Sequence, residues 1–216
     1  MRIDVWSDLV CPWCYIGKRR LEDALSGFEH RDEVEVIHRS FQLNPSAPPG
    51  KTTKRRDMLM AKYGWSVSEA QAMDARMEET AAEDGLEYHL SADGLTGNTF
   101  DAHRLVHLAH ARGIQDAVVE RFFRAYFTEQ RSLFDRDTLA ALATGAGLDA
   151  TEVTRVLDGD EYADAVTRDL QEAQALGATG VPFFVIDRRY GVSGAQPVQV
   201  FIGALSRAWA EDHEPT

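Results

Sequence analysis

Cysteine is scarce in this chain of 216 residues: there are two, Cys11 and Cys14. Two thiols with no HxxxH pattern nearby fall short of the four ligands a structural zinc site needs. Basic charge is also short, with 23 Lys and Arg against 35 Asp and Glu and a formal net charge of −12. That balance argues against nucleic acid and against an anionic membrane surface as partners. Nothing approaches the ~18 consecutive apolar residues of a membrane span. Asp4, Asp8 and the cysteine pair fall where the apolar core of a secretory signal would lie. The expectation is therefore a cytoplasmic protein in a reducing compartment. Internal repeats and low-complexity tracts are lacking too. Hydrophobic residues make up 44% of the chain, enough for a buried core in one large domain or one domain carrying an insertion.

What is present is concentrated in Cys11-Pro12-Trp13-Cys14. The two thiols lie at i and i+3, directly after a strand-like run and at the start of a helical one. On one helix face such positions are roughly 5–6 Å apart at Cβ, close enough to form a disulfide with little backbone movement. A helix N-terminus also favours an anion, so the first thiol is expected to ionise the more readily. A stapling disulfide across so tight a loop would remove little chain entropy and would not survive a reducing cytosol. The pair reads as a redox centre.

The chain divides into three stretches. Residues 1–43 read as strand (Ile3–Trp6), helix (Pro12–Leu25, stopping at Gly27) and strand (Val34–Phe41), a βαβ unit with a parallel pair. Residues 44–177 open on a Pro-rich break at 44–50 and then read as helices at 53–63, 66–84, 98–112, 115–130, 135–145, 150–157 and 160–176, with no clear strand. Asp135, Asp137 and Thr151 are the N-cap candidates. Residues 178–216 return to β character, with a strand at 181–186 and a three-residue turn into Tyr190–Val192. An amphipathic helix over 197–209 and a frayed tail over Glu211–Thr216 close the chain.

This α/β arrangement, βαβ–helical insertion–αββα with a large all-α insertion subdomain, is that of a thioredoxin fold. The sequence resembles the DsbA-like thioredoxin-fold family, and most closely its cytosolic FrnE-type branch of thiol–disulfide oxidoreductases. Four stretches carry the resemblance: Ser7 to Gly17, Asn98 to Arg104, Thr179 to Phe184 and Gly191 to Gln196. It implies Cys11, at the exposed end of the helix, as nucleophile and Cys14, one turn inside, as resolving thiol. Pro182 is implied to be cis beside them, with the Val181 backbone turned outward to pair with an extended substrate. Pro12 and Trp13 set the redox poise and line the substrate side. Pro12-Trp13 replaces the Pro-His of the strongly oxidising relatives, so the centre is expected to be less oxidising. Some members of the branch have a further cysteine pair as a relay; two cysteines leave none here.

Other candidates are weaker. Asp8 could relay a proton or cap the helix. His103, His107 and His110 at i, i+4 and i+7 read as a partly exposed helix face, with Asn98 and His103 walling the cleft as the lesser reading; no metal is assigned. Lys51, Lys54, Arg55 and Arg56 read as a solvated helix start, or else as a greeting site for an anionic substrate. The expected partners are protein or small-molecule disulfides and an external thiol reductant or oxidant. Beyond the Cys11–Cys14 disulfide no cofactor is expected, with glutathione as an optional co-substrate, in a monomer or homodimer. The residues leave reductase, isomerase and oxidase directions open. Two rival classes stand beside this one. One is a glutathione-dependent transferase or 2-hydroxychromene-2-carboxylate isomerase, which shares the helical insertion but usually has serine at the Cys11 position. The other is a polypeptide-binding, chaperone-like module.

Overall fold

The computed structural model describes residues 1–213. The chain opens with β1 (Arg2–Ser7), α1 (Pro12–Ser26) and β2 (Glu35–Ser40). After a proline-rich crossing come β3 (Thr52–Lys54), α2 (Arg55–Tyr63), α3 (Val67–Glu83) and β4 (Leu95–Gly97). Then follow α4 (Phe100–Ala111), α5 (Gln115–Phe127), α6 (Arg136–Gly145), α7 (Ala150–Asp158) and α8 (Ala163–Ala175). The chain returns through β5 (Phe183–Ile186) and β6 (Tyr190–Ser193) to α9 (Val198–His213).

Four strands form one mixed sheet in the order β2-β1-β5-β6. β1 runs parallel to β2 and antiparallel to β5, with Val5 opposite His38 on one side and Phe184 on the other. A strand paired on both edges and covered on both faces must be almost wholly buried. Ile3 to Ser7 are, which accounts for the dense apolar run with Asp4 inside it. Asp4 is matched by guanidinium groups, Arg2 at 2.6 Å and Arg39 at 2.7 Å. α1 and α9 cover one face, where Leu21, Ala24, Phe201 and Leu205 pack on Ile3, Val5 and Phe184. The expected thioredoxin fold is present, with its helical insertion.

The insertion has its own core around Leu105, Leu108, Phe122, Phe123 and Leu142, and this core is continuous with Leu9, Cys11, Cys14 and Ile16. α8 ties the insertion to the sheet. The Trp6 indole donates to the Asp169 carbonyl at 2.9 Å, and the Ser40 amide donates to the Asp169 carboxylate at 2.8 Å. His107 Nε2 lies 3.0 Å from the same carboxylate.

Some local expectations are corrected. Two strands occur within the supposedly all-helical stretch, β3 and β4 pairing antiparallel. Each has three residues, too few to show a two-residue period, so the sequence pattern concealed them. Because β3 takes Thr52–Lys54, the next helix starts at Arg55 and not at 53. Asp135 caps α6 by accepting from the Thr138 amide at 2.8 Å, whereas Asp137 lies inside the helix. Asp149, not Thr151, caps α7, accepting from the Thr151 and Glu152 amides. The helix expected from 160 starts at Ala163, because Tyr162 adopts a positive φ of 65°. The closing helix continues through His213, and the rest of the expected tail, 214–216, lies outside the described residues.

Candidate functional site

Strand β1 delivers the chain to a short turn that ends at Cys11, the N-cap of α1. Cys11 has extended backbone angles (φ −89°, ψ 115°), and Pro12 follows in the first helical turn, where a missing N–H leaves no gap in the ladder. The Cys11 amide donates back to the Asp8 carbonyl at 3.0 Å, and the Cys14 amide donates to the Cys11 carbonyl at 3.0 Å. These bonds fix the turn. Both thiols are free, and the two cysteines are 3.5 Å apart.

Neither thiol is exposed: Cys11 is 5% and Cys14 2% accessible. That corrects the placement of Cys11 at an open helix end. The turn folds under Val181, whose carbonyl accepts a long hydrogen bond from the Cys11 sulfur at 3.7 Å. The solvent-facing member of the quartet is Trp13, 42% exposed. Burial, together with the neighbouring Cys11 thiol, pushes the Cys14 thiol well above its ordinary range. Cys14 therefore keeps its proton until a reaction takes it.

The Val181–Pro182 peptide bond is cis. Pro182 sits directly on α1, where a Cβ built at Gly17 would lie 2.8 Å from its ring. Glycine at this position is what lets the proline loop approach the helix. The Pro182 carbonyl accepts from the Gly194 amide at 2.8 Å, and the Ala195 carbonyl accepts from Arg20 of α1 at 2.7 Å. Residues 191–196 thus lock the proline loop to the cysteine helix. Arg20 also holds Asp84, with Nε 2.9 Å and 3.0 Å from its two carboxylate oxygens.

On the insertion side, the Tyr88 hydroxyl donates to the Pro12 carbonyl at 2.7 Å. Its ring stacks on Phe127 (4.6 Å) and Tyr15 (6.0 Å), and Tyr15 stacks in turn on Phe123 at 4.9 Å. This aromatic column supports the turn. Burial raises the Tyr88 hydroxyl above its ordinary range, so it stays a donor. Tyr88 escaped the sequence reading because 85–92 has neither period nor motif.

The histidine row is corrected as well. His103 is buried, His107 is half-buried and His110 is exposed, because α4 is packed between α5, α7 and α8 and the sheet. His103 points at Asp8, with Nε2 and Oδ1 3.6 Å apart. The other Asp8 oxygen accepts from the Leu43 amide at 2.8 Å. Asn98 is engaged in the chain's own turns, accepting from the Phe100 amide at 2.8 Å and donating to the Ala47 carbonyl at 2.6 Å. Arg104 closes the end of α7, donating to the Glu161 and Gly159 carbonyls at 2.8 and 2.6 Å. Nor is the basic run a freely solvated helix start. Arg55 and Arg56 converge on Asp74 at 2.5 and 2.8 Å, and Lys54 pairs with Asp93 at 2.7 Å. Among the described residues no cluster of His, Cys, Asp and Glu suits a metal ion, and no helix is long and apolar enough to cross a membrane.

Comparison with known proteins bears on this arrangement. Residues 2–206 match the family model of the DsbA-like thioredoxin domain. The crystal structure of a probable DsbA oxidoreductase from Streptomyces coelicolor superposes with a TM-score of 0.94 at 52% identity, covering 100% of this chain and 92% of that one. The cytosolic disulfide reductase DsbM from Pseudomonas aeruginosa, solved with glutathione, has the same fold at 18% identity (TM-score 0.66, covering 97% of this chain and 99% of that one). An uncharacterised protein of Bacillus subtilis, YwbO, is 29% identical over 207 residues, 95% of this chain and 96% of its own.

Proposed function

The chain belongs to the DsbA-like thioredoxin family of thiol–disulfide oxidoreductases, and from that premise we propose that its Cys11–Cys14 dithiol exchanges electrons with substrate disulfides in the cytoplasm. The observation that carries this reading is two free cysteines 3.5 Å apart at a helix N-terminus, with the Val181 carbonyl 3.7 Å from the first sulfur.

In the forward step the Cys11 thiolate attacks one sulfur of the substrate disulfide and releases the other half as a thiol. Cys14 then attacks the Cys11 sulfur of the mixed disulfide, the second half leaves, and the Cys11–Cys14 disulfide remains. Two electrons pass from the dithiol to the substrate. The order of roles follows from Cys14, which burial holds as a thiol until the mixed disulfide forms. Trp13 and Leu43, 42% and 44% exposed, give the site an apolar rim. Leu43 is held there by its backbone amide, which donates a hydrogen bond to the Asp8 carboxylate. Such a rim suits a polypeptide disulfide, whose extended backbone would pair with Val181. Glutathione serves in this reading as the recycling thiol, a role supported by the shared fold of a cytosolic reductase solved with it.

Reduction of insulin disulfides by a thiol-regenerated enzyme tests the proposal. Activity is expected in the wild type and is expected to vanish in Cys11→Ser. Undiminished glutathione conjugation or isomerase turnover in that variant would favour a transferase or isomerase instead, because neither chemistry needs a resolving thiol.

A further inference from the structure

A cavity of about 170 Å³ lies between the stretch 89–95 and the end of α5, and neither cysteine lines it. Its polar lining includes Arg55, Arg131, Ser91 and Gln130, and its apolar lining Leu90, Leu95 and the Tyr126 ring. Two guanidinium groups on one cavity stand out in a chain whose net charge is −12.

Neither group is fully committed. Arg55 is 12% exposed and places Nη2 on Asp74 at 2.5 Å, which leaves Nε and Nη1 without a hydrogen-bond partner among the described residues. The Arg131 side chain makes no hydrogen bond and no ion pair among the described residues. Its charge reaches Glu129, but that carboxylate is already gripped by Arg121 at 3.0 and 2.8 Å. Asp93, the one carboxylate in the lining among the described residues, is taken by Lys54 at 2.7 Å. Arg131 is also held in place by its backbone. Gln130 before it adopts a φ of 53°, a region that residues other than glycine seldom enter. That turn brings the Arg131 amide back to the Ala125 carbonyl at 2.8 Å.

A guanidinium matches a planar oxyanion, with two N–H donors meeting two oxygens. The volume is close to the roughly 150 Å³ of an apolar cavity that takes benzene. An inorganic anion would leave Leu90 and Leu95 uncovered, whereas an acid with a small carbon body would fill both halves.

We propose that this cavity is a binding site for a small organic carboxylate, with its oxygens on Arg55 and Arg131 and its carbon body on Leu90, Leu95 and Tyr126. The site is separate from disulfide exchange, yet it adjoins the support of the cysteine turn. His89 in its lining directly follows Tyr88, whose hydroxyl holds the Pro12 carbonyl. Tyr126 meets Phe127 edge-on at 4.9 Å, and Tyr88 stacks on the other side of that contact at 4.6 Å.

Isothermal titration calorimetry of the full chain with benzoate tests the site. One equivalent is expected to bind, and benzamide, which has the same shape without the charge, should bind at least about tenfold more weakly. Arg131→Ala should weaken benzoate by about ten- to a hundredfold, the worth of a charge-assisted hydrogen bond, and leave insulin reduction unchanged. Cys11→Ser should bind benzoate as the wild type does, which keeps this result independent of the exchange reaction. Failure of benzoate to bind, equal affinity for benzamide, or an affinity unmoved in Arg131→Ala would overturn the proposal. Loss of binding in Cys11→Ser would overturn it too, by placing the ligand at the sulfurs. So would inorganic phosphate binding as tightly as benzoate, because the apolar wall would then contribute nothing.

Discussion

Trp13 shows what a single side chain decides here. It occupies the position between the cysteines where strongly oxidising relatives have histidine, and it points to solvent. Without that imidazole, one means of stabilising the reduced thiolate is absent. The expected reduction potential lies below about −180 mV, the value for protein disulfide isomerase. Equilibration against glutathione buffers measures it, and a potential above that mark would contradict the role given to Pro12-Trp13. The nearness of the two cysteines was legible because it follows from their spacing at the start of a helix. Cys11's burial was not, since it depends on Val181, 170 positions away along the chain. His103 escaped for a similar reason: helical spacing says which side chains share a face, but not that the first turn of that face lies against Asp8 while His110 stays exposed.

Among the elements, α1 and the turn before β5 form the contact on which the site depends. Gly17 makes it possible, since a methyl group there would meet Pro182 at 2.8 Å and Phe184 at 3.1 Å. The Gly17→Ala substitution is expected to cost about 1–3 kcal/mol, because the ring and the helix backbone cannot both stay in place. Thermal unfolding should show a Tm several degrees lower, and disulfide-exchange rates should fall with it as Val181 shifts from Cys11. An unchanged Tm would mean that the two elements separate freely. Every long helix was legible from its apolar period, and α6 from its Asp135 cap. β3 and β4 were not, because three-residue strands carry too little pattern and these two pair with each other across α2 and α3, which lie between them in the chain.

For the molecule as a whole, Asp169 joins the insertion to the sheet. Burial works to raise its carboxyl, but His107, the Ser40 amide and Arg39 outweigh that and leave it below the ordinary range. Its contribution to stability is therefore complete above the unfolded value of about 3.9 and is lost as pH falls through the lower folded value. Asp169→Asn should cost about 1–3 kcal/mol near neutrality, as buried donors lose their charged partner. Urea unfolding from pH 7 to pH 3 should give the variant a flatter acid limb than the wild type; parallel curves would show that the carboxylate contributes nothing through its charge. None of this was legible beforehand, as the network gathers residues from β1, β2, α4 and α8.

The central claim is the division of labour between the two sulfurs, and trapping tests it most directly. Cys14→Ala, mixed with a disulfide-bonded polypeptide and analysed by intact mass and peptide mapping, should accumulate a mixed disulfide at Cys11, while the wild type turns over without one. No adduct in the variant, or a wild type whose adduct maps to Cys14, would contradict the account.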